Sequence, residues 1–479
     1  MSLTTPPAAA RTARPLAWLL EQRPLPCTAA GWVCLQLGLL LLPLSAVLAC
    51  TCLVLACTAF RPPQEPRPLQ RGIARWLLLL AVLLVLTSAV ASTGWLAWIG
   101  LLNWLPFFWL FLALQPYLST AAARRRLAVC VALASVPVIL VGWIQMATGW
   151  HGEFKTLAGL VLWAMAHPSR ATGIFEHPNI TATWLALALP LVASLISAPL
   201  GNTKGLQPQA AASGERRRQL AFGLGTAATL ATILFTGSRN AILISPLALV
   251  LAIPRRLRLV VAALLGLYGL ALVVKTTTGL SSPLLDPFMS DLLTSKFSRL
   301  GLQAQTAIAE GEGRLEAYPL ALKLIASHPW HGLGETGFAS LYASLNPQIP
   351  RTALIHHSHN VVLEMAVSHG IPATLVLLGV MGTICFQGLR ALQQRRDPGP
   401  NDGRGGAVDR AWVIAAAVAI WTHQLDIPLF DVRVNVVGWL CFAALWSLAN
   451  PRPSAEAVAP ATTTPEVTGA AAAAGPQPR

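Results

Sequence analysis

The chain has 479 residues, 54% of them hydrophobic and only 11% charged, with a mean hydropathy of +0.59. Soluble domains run near a quarter charged, so a soluble globular protein is excluded. The formal net charge of +15 invites a nucleic-acid reading, but the basic residues cluster in alternate loops between apolar runs, which is an orientation signal of a polytopic membrane protein. Backbone groups in lipid must be paired within their own segment, so these runs are helices. The alternating pattern of a membrane barrel is absent.

Residues 1–28 hold Arg11, Arg14 and Arg23 but no short apolar core with a small-residue cleavage site, so no cleavable signal peptide is expected. The stretch 29–60 has Pro43 in its middle and reads as one kinked helix or a hairpin. Further apolar runs lie at 74–92, 95–118, 127–148, 179–198, 219–236, 240–253 and 257–275, which makes 29–275 a region of nine transmembrane helices if 29–60 crosses twice. A long amphiphilic segment, 276–358, follows. Within it Leu315, Tyr318, Leu322 and Ile325 recur at helical spacing, so it is expected to carry helices lying against the membrane. Runs at 359–395, 410–427 and 432–449 complete a last membrane region, 359–450. The tail 451–479 is rich in Ala, Pro and Thr and is expected to have no fold.

Basic clusters at Arg61–Arg75, Arg124–Arg126, Lys204 with Arg216–Arg218, Arg255–Arg258 and Arg390–Arg410 occupy every second loop. The positive-inside rule makes these cytoplasmic. Placing the N-terminal arginines inside as well requires the hairpin at 29–60. The expectation is an all-α integral membrane protein of about twelve crossings, both termini cytoplasmic, with 149–178 and 276–358 as outer loops. Eight of the ten histidines fall in those loops or, for His359, at their border. The eight cysteines lie in or beside apolar runs with no CxxC spacing and read as small buried apolar residues.

Four stretches could carry chemistry. Arg239, in Thr236-Gly-Ser-Arg-Asn240, sits alone between two apolar runs at the outer membrane edge. A cation there is costly without a purpose; a helix-end arginine snorkelling to headgroups is the plainer alternative. Arg314 follows Glu310-Gly-Glu-Gly, where it either binds an anion or pairs with Glu310. Arg170 opens a polar segment ending in His177-Pro-Asn179, and Asn179 reads as an N-cap of the next helix. His356, His357, His359 and Asn360 close the long loop where the chain re-enters the membrane. Their spacing does not match the helical i, i+4 metal pair, and no cysteine accompanies them, so no metal is expected. A histidine at a helix N-terminus is kept neutral by the dipole and can accept a proton; a polar interface residue is the plainer alternative. No phosphate-binding glycine loop is present, so a diphosphate would rely on guanidinium groups.

Together these stretches resemble the O-antigen ligase family, which also includes O-antigen polymerases and bacterial protein O-oligosaccharyltransferases. The resemblance runs from about Arg170 to Leu392. It takes in 172–179, Gly237-Ser-Arg-x-Ala241, Arg314, His328-Pro-Trp-x-Gly332-x-Gly334 and His356-x-x-His359-Asn360. Gly370 falls at the family's spacing from His359, and Ala373 departs from the pattern. The resemblance implies a GT-C-like membrane glycosyltransferase of the bacterial inner membrane with its active site facing the periplasm. It would move O-antigen glycan from undecaprenyl diphosphate to a lipid A–core hydroxyl, inverting and without a cofactor. His359 would be the base. Arg239, Arg314 and Arg170 would hold the diphosphate, with Asn360, His356, His177 and Asn179 beside them. The moderate outer loop leans toward ligase over polymerase or protein transferase. A transporter is the non-enzyme alternative; the polar residues concentrate in outer loops instead of mid-membrane, which disfavours it.

Overall fold

The computed structural model describes residues 19–25, 27–60, 72–156, 161–165, 170–197, 208–278, 314–348, 355–394 and 406–450. The N-terminal residues 1–18, the loop residues 279–313 and 349–354, and the tail 451–479 lie outside the described residues, as does the side chain of Arg314.

The described residues are mostly helical. Helices α1 (Ala29–Leu41) and α2 (Ala46–Cys57) form a hairpin turned at Pro43 and capped by Ser45, whose side chain accepts the Leu48 N–H. There follow α3 (Gly72–Ala89), α4 (Trp95–Gly100), α5 (Leu105–Leu114) and α6 (Ala121–Thr148). A two-stranded antiparallel hairpin, β1 (Gly152–Thr156) with β2 (Val161–Met165), interrupts the helices. The chain continues with α7 (Pro178–Ser194), α8 (Pro208–Thr236), α9 (Arg239–Ala252), α10 (Arg255–Thr278), α11 (Arg314–Ser327), α12 (Gly337–Leu345), α13 (Val361–Gln394), α14 (Gly406–Leu425) and α15 (Val432–Ala449).

Among the described residues, six helical segments are long and apolar enough to cross a membrane: Gly72–Ala89, Trp95–Leu118, Ala121–Thr148, Ser213–Thr236, Val361–Gln394 and Val432–Ala449. The chain is therefore a multi-pass, helical membrane protein. The expected crossings at 179–198 and 240–253 are helices of 17 and 14 residues. A full crossing takes about 20 residues.

The short α7 is the centre of the bundle: every residue from Thr181 to Ser194 is buried. Its Ala- and Leu-rich sequence lets α6, α8, α9, α14 and α15 approach closely, since small side chains are what helix packing in lipid rewards. By contrast, α10 exposes Leu259, Val260, Leu264, Leu267 and Leu270, a face suited to hydrocarbon. At the opposite end from the histidines, Arg124 of α6 and Asp409 of α14 form a buried bidentate pair at 2.7 and 2.8 Å. A buried charge needs such full pairing to persist.

Helix α13, 34 residues long, changes character midway. At 1.5 Å per residue it would be about 51 Å long, well beyond a bilayer core of about 30 Å. It breaks at Gly370 (φ 78°, ψ 174°), just before Pro372. The loop 328–336 splints the break: Leu333 N–H donates to Val367 O (2.7 Å), Gly334 N–H to Ser368 O (2.9 Å) and Ile371 N–H to Pro329 O (2.7 Å). The glycines of this stretch have a physical reason. A Cβ on Gly332 would lie 2.5 Å from the Ser368 carbonyl carbon, and one on Gly370 2.5 Å from that of Trp330. Above the break, α11 and α12 close a small second core of Ala317, Ala321, Leu324, Phe338, Tyr342, Ile355 and Val367.

Two expectations need correction. The strand hairpin at 152–165 lies in a loop expected to be irregular, so the fold is not strictly all-α. It is pinned by Trp163, which donates to Leu44 O and packs on Phe154. The helical spacing expected over 315–325 is met by α11, in which Ala317, Ala321 and Leu324 are buried, Tyr318 and Ile325 pack against them, and Leu322 is 58% exposed. Finally, the N-cap of α7 is His177, not Asn179: Pro178 occupies the first helical position, and His177 Nδ1 accepts the Asn179 N–H at 3.1 Å.

Candidate functional site

Three segments far apart in sequence meet at one end of the bundle: 170–179, 355–360 and 424–433. The first is held by Gln145 of α6, whose Oε1 accepts the N–H groups of Thr172 (3.0 Å) and Gly173 (2.9 Å). Gly173 turns at φ 56° directly against Val138, where a side chain would clash. Phe175 is fully buried under the Arg433 guanidinium, 4.5 Å from its ring centre. Arg433 is in turn bonded to Asp431, the N-cap of α15. The loop before α7 is thereby stapled to the loop before α15.

That staple delivers a polar relay. Arg170 Nε donates to Thr236 O (2.6 Å), and its Nη2 donates to Asn179 Oδ1 (3.1 Å). Asn179 Nδ2 donates to Asp426 Oδ2 at 2.9 Å. The other carboxylate oxygen, Asp426 Oδ1, accepts the Ile427 N–H (2.9 Å) and faces His359 Nδ1 at 3.5 Å and His357 Nε2 at 3.9 Å. Burial opposes the Asp426 charge, but the two facing imidazoles and the Ile427 amide outweigh it and hold the carboxyl well below its ordinary range.

The histidine turn is tightly specified. His359 has φ 54°, the left-handed region that only a few non-glycine residues occupy. Its N–H donates to His357 Nδ1 at 3.2 Å, and the two rings meet edge to face with centres 4.4 Å apart. Asn360 is the N-cap of α13: its Oδ1 accepts from Val362 and Leu363 N–H, and its Nδ2 donates to the Gln424 carbonyl at 3.1 Å. His359 thus sits one residue before the cap instead of on the helix. Its Nδ1 faces the Asp426 carboxylate at 3.5 Å.

His357, His359 and Asp426 have ligand atoms within 4.8 Å of one another. The hydrogen bonds argue against a metal-ligand role. With its Nδ1 lone pair taken by the His359 amide, neutral His357 carries its proton on Nε2, the atom facing Asp426. For His359 the logic is complementary. Nδ1 is shut off from solvent with no hydrogen bond, and Asp426 is its nearest acidic neighbour. A proton on Nδ1, attracted by the carboxylate, leaves Nε2 with a free lone pair, the arrangement of a general base.

The remaining expected residues divide. Arg239, half-buried, is the first residue of α9, after the left-handed Gly237 and the Ser238 cap. Its neighbours tie it to this end of the bundle: Thr236 O accepts from Arg170, and Asn240 Nδ2 donates to Thr422 O at 2.9 Å. Arg314 begins α11. His356 and His177 are exposed, the latter acting as a helix cap. Asp426 was missed as a site residue. Its only signal in the sequence is an acid beside a membrane run, weak evidence without its partners.

The fold and the site define a class first: a multi-pass membrane protein with a histidine–carboxylate–arginine relay gathered at one end of its helix bundle. Residues 224–378 match the family model for O-antigen ligase (Wzy_C), a likeness that covers about a third of the chain. The family implies a glycosyltransferase-like membrane enzyme of O-antigen processing. The match contains Arg239, Arg314, His356, His359 and Asn360, and stops short of Arg170 and Asp426 at its two sides. No curated protein matches the chain.

Proposed function

We propose that the chain is an O-antigen ligase of the bacterial inner membrane, transferring glycan from undecaprenyl diphosphate to a lipid A–core sugar hydroxyl on the periplasmic side. The observation that carries this reading is the Asp426–His359 pair, joined through Asn179 to Arg170. His359 Nε2 takes the proton of the acceptor hydroxyl as its oxygen attacks the anomeric carbon. The bond from that carbon to the diphosphate breaks on the opposite face, inverting the centre. Arg170, Arg239 and Arg314 neutralise the departing diphosphate, so that no metal is needed. Asp426 balances the imidazolium that forms. General-base help is worth roughly 100- to 10,000-fold.

A lipid substrate is supported by a cavity of ≈ 340 Å³ between α13, α14, α15 and the segment before α5, lined by Leu377, Met381, Ile420, Trp439 and Phe442. Gln424, bonded to Asn360 at one corner, connects this apolar space to the histidine turn. It would take hydrocarbon close to the reacting groups.

The test is transfer by purified protein from a lipid-diphosphate glycan, with EDTA present, offering lipid A–core, a second glycan chain or a Ser/Thr peptide as acceptor. The expected result is transfer to lipid A–core, none by His359→Ala, and a loss of about 100-fold in Asp426→Asn. Undiminished transfer by folded His359→Ala would sink the base assignment. Transfer to a second glycan or to the peptide would reassign the protein to polymerase or protein transferase.

A further inference from the structure

Beneath the histidine turn lies a carboxylate that the proposed reaction does not use. Glu364, one turn into α13, is 6% exposed, and its Oε2 accepts the Ser358 N–H at 2.8 Å. Ser358 is fully buried and donates its hydroxyl to Asn360 O at 3.1 Å. His359 stands between these two anchored residues, in its left-handed conformation. A buried carboxyl is costly wherever an apolar side chain would serve for packing, so its presence asks for a specific partner. The Ser358 amide is that partner, and it is the backbone donor immediately before the base.

A second acid stands behind it. Glu335, also 6% exposed, reaches this region because Gly100 leaves it room: a Cβ there would meet the Glu335 Cβ at 2.3 Å. Two buried carboxyls in one neighbourhood do not both ionise readily. Burial first, and then the proximity of Glu364, push Glu335 up to about 8, against a hydrogen bond from Asn103. Glu335 therefore holds the proton at neutral pH, and the acceptor role of Glu364 stands on its 2.8 Å contact with the Ser358 N–H.

We propose that Glu364 is a positioning residue for the base: by accepting the Ser358 amide it fixes the strained turn that aims the His359 imidazole at Asp426 and at the acceptor hydroxyl. This inference rests on His359 being the base. Misplacing a reacting group by about an ångström costs on the order of 100-fold. The experiment compares Glu364→Met, which keeps length but has no acceptor, with Glu364→Gln, which keeps an oxygen. Both are measured in the transfer assay with purified protein, alongside His359→Ala.

Expected is a kcat lowered about 100-fold in Glu364→Met with the KM for the lipid-linked donor little changed, and recovery to within about tenfold of wild type in Glu364→Gln. Thermal unfolding in detergent reports whether each variant is folded. Should Glu364→Met fail to fold, Glu364→Gln decides alone: near-normal kcat supports the acceptor role. A Glu364→Gln loss as deep as that of Met, a change confined to KM, or a wild-type rate in Glu364→Met overturns the positioning role. Inactive His359→Ala beside fully active Glu364→Met sinks this inference and spares the base. Fully active His359→Ala sinks both.

Discussion

At the residue scale, two of the acids near the histidine turn, Asp426 and Glu335, titrate in opposite senses. Asp426 is held below its ordinary range, so its contribution to stability is present at neutral pH and is lost in acid. Glu335 is pushed up to about 8. Between its unfolded value and about 8, the folded protein keeps a proton that the unfolded chain has lost. Stability from this group is therefore greatest in acid, falls as pH rises, and levels off above the folded value. Glu335→Gln should remove that slope. Its gain in stability over wild type should be small near pH 5 and grow to the order of a few kcal/mol near pH 9. Thermal unfolding of the two proteins across that range checks it, and parallel pH profiles would contradict the assignment. Asp426 itself shows where sequence reading ends. His359, its flanking Asn360 and Arg239 were legible as charged or polar residues beside apolar runs. The carboxylate that faces His359 lies two helices later, and only packing brings it there.

At the element scale, the break in α13 joins sequence pattern to backbone geometry. Gly370 was legible by its spacing from His359; its partner, the loop 328–336, was not, because backbone pairing between a loop and an opened helix leaves no periodicity to read. Gly370→Ala must place a side chain at φ 78° and against the Trp330 carbonyl. The expected loss is about 2–4 kcal/mol, seen as a lowered unfolding temperature. Gly379, in the same helix, has open space around it. Gly379→Ala should be neutral or stabilising by up to ~1 kcal/mol. Equal effects of the two substitutions would mean that the break is not held by this contact. The helix positions agree with the apolar runs because lipid enforces helices wherever such runs occur. The β1–β2 pair escaped because two five-residue strands are too short to leave a pattern of their own.

At the scale of the whole molecule, the positive-inside rule predicts which end of the bundle faces the cytoplasm, and that orientation is testable by itself. In a background with all eight cysteines replaced, Trp330→Cys (76% exposed in the wild type) and His356→Cys should react with a membrane-impermeant maleimide in intact cells. Arg255→Cys should react only after permeabilisation. The reverse pattern would place the relay in the cytosol and remove any periplasmic chemistry.

The stapling of Phe175 beneath Arg433, and of Asn179 onto Asp426, bears on how the protein is made. A nascent chain that has emerged through α13 already contains every arginine and histidine of the relay. It lacks the carboxylate that aligns them and the clamp that holds the 170–179 loop in place. On the proposed function, competence for chemistry arrives only with α14 and α15, so an interrupted translation product is expected to be inert in the membrane rather than a partly active, promiscuous transferase.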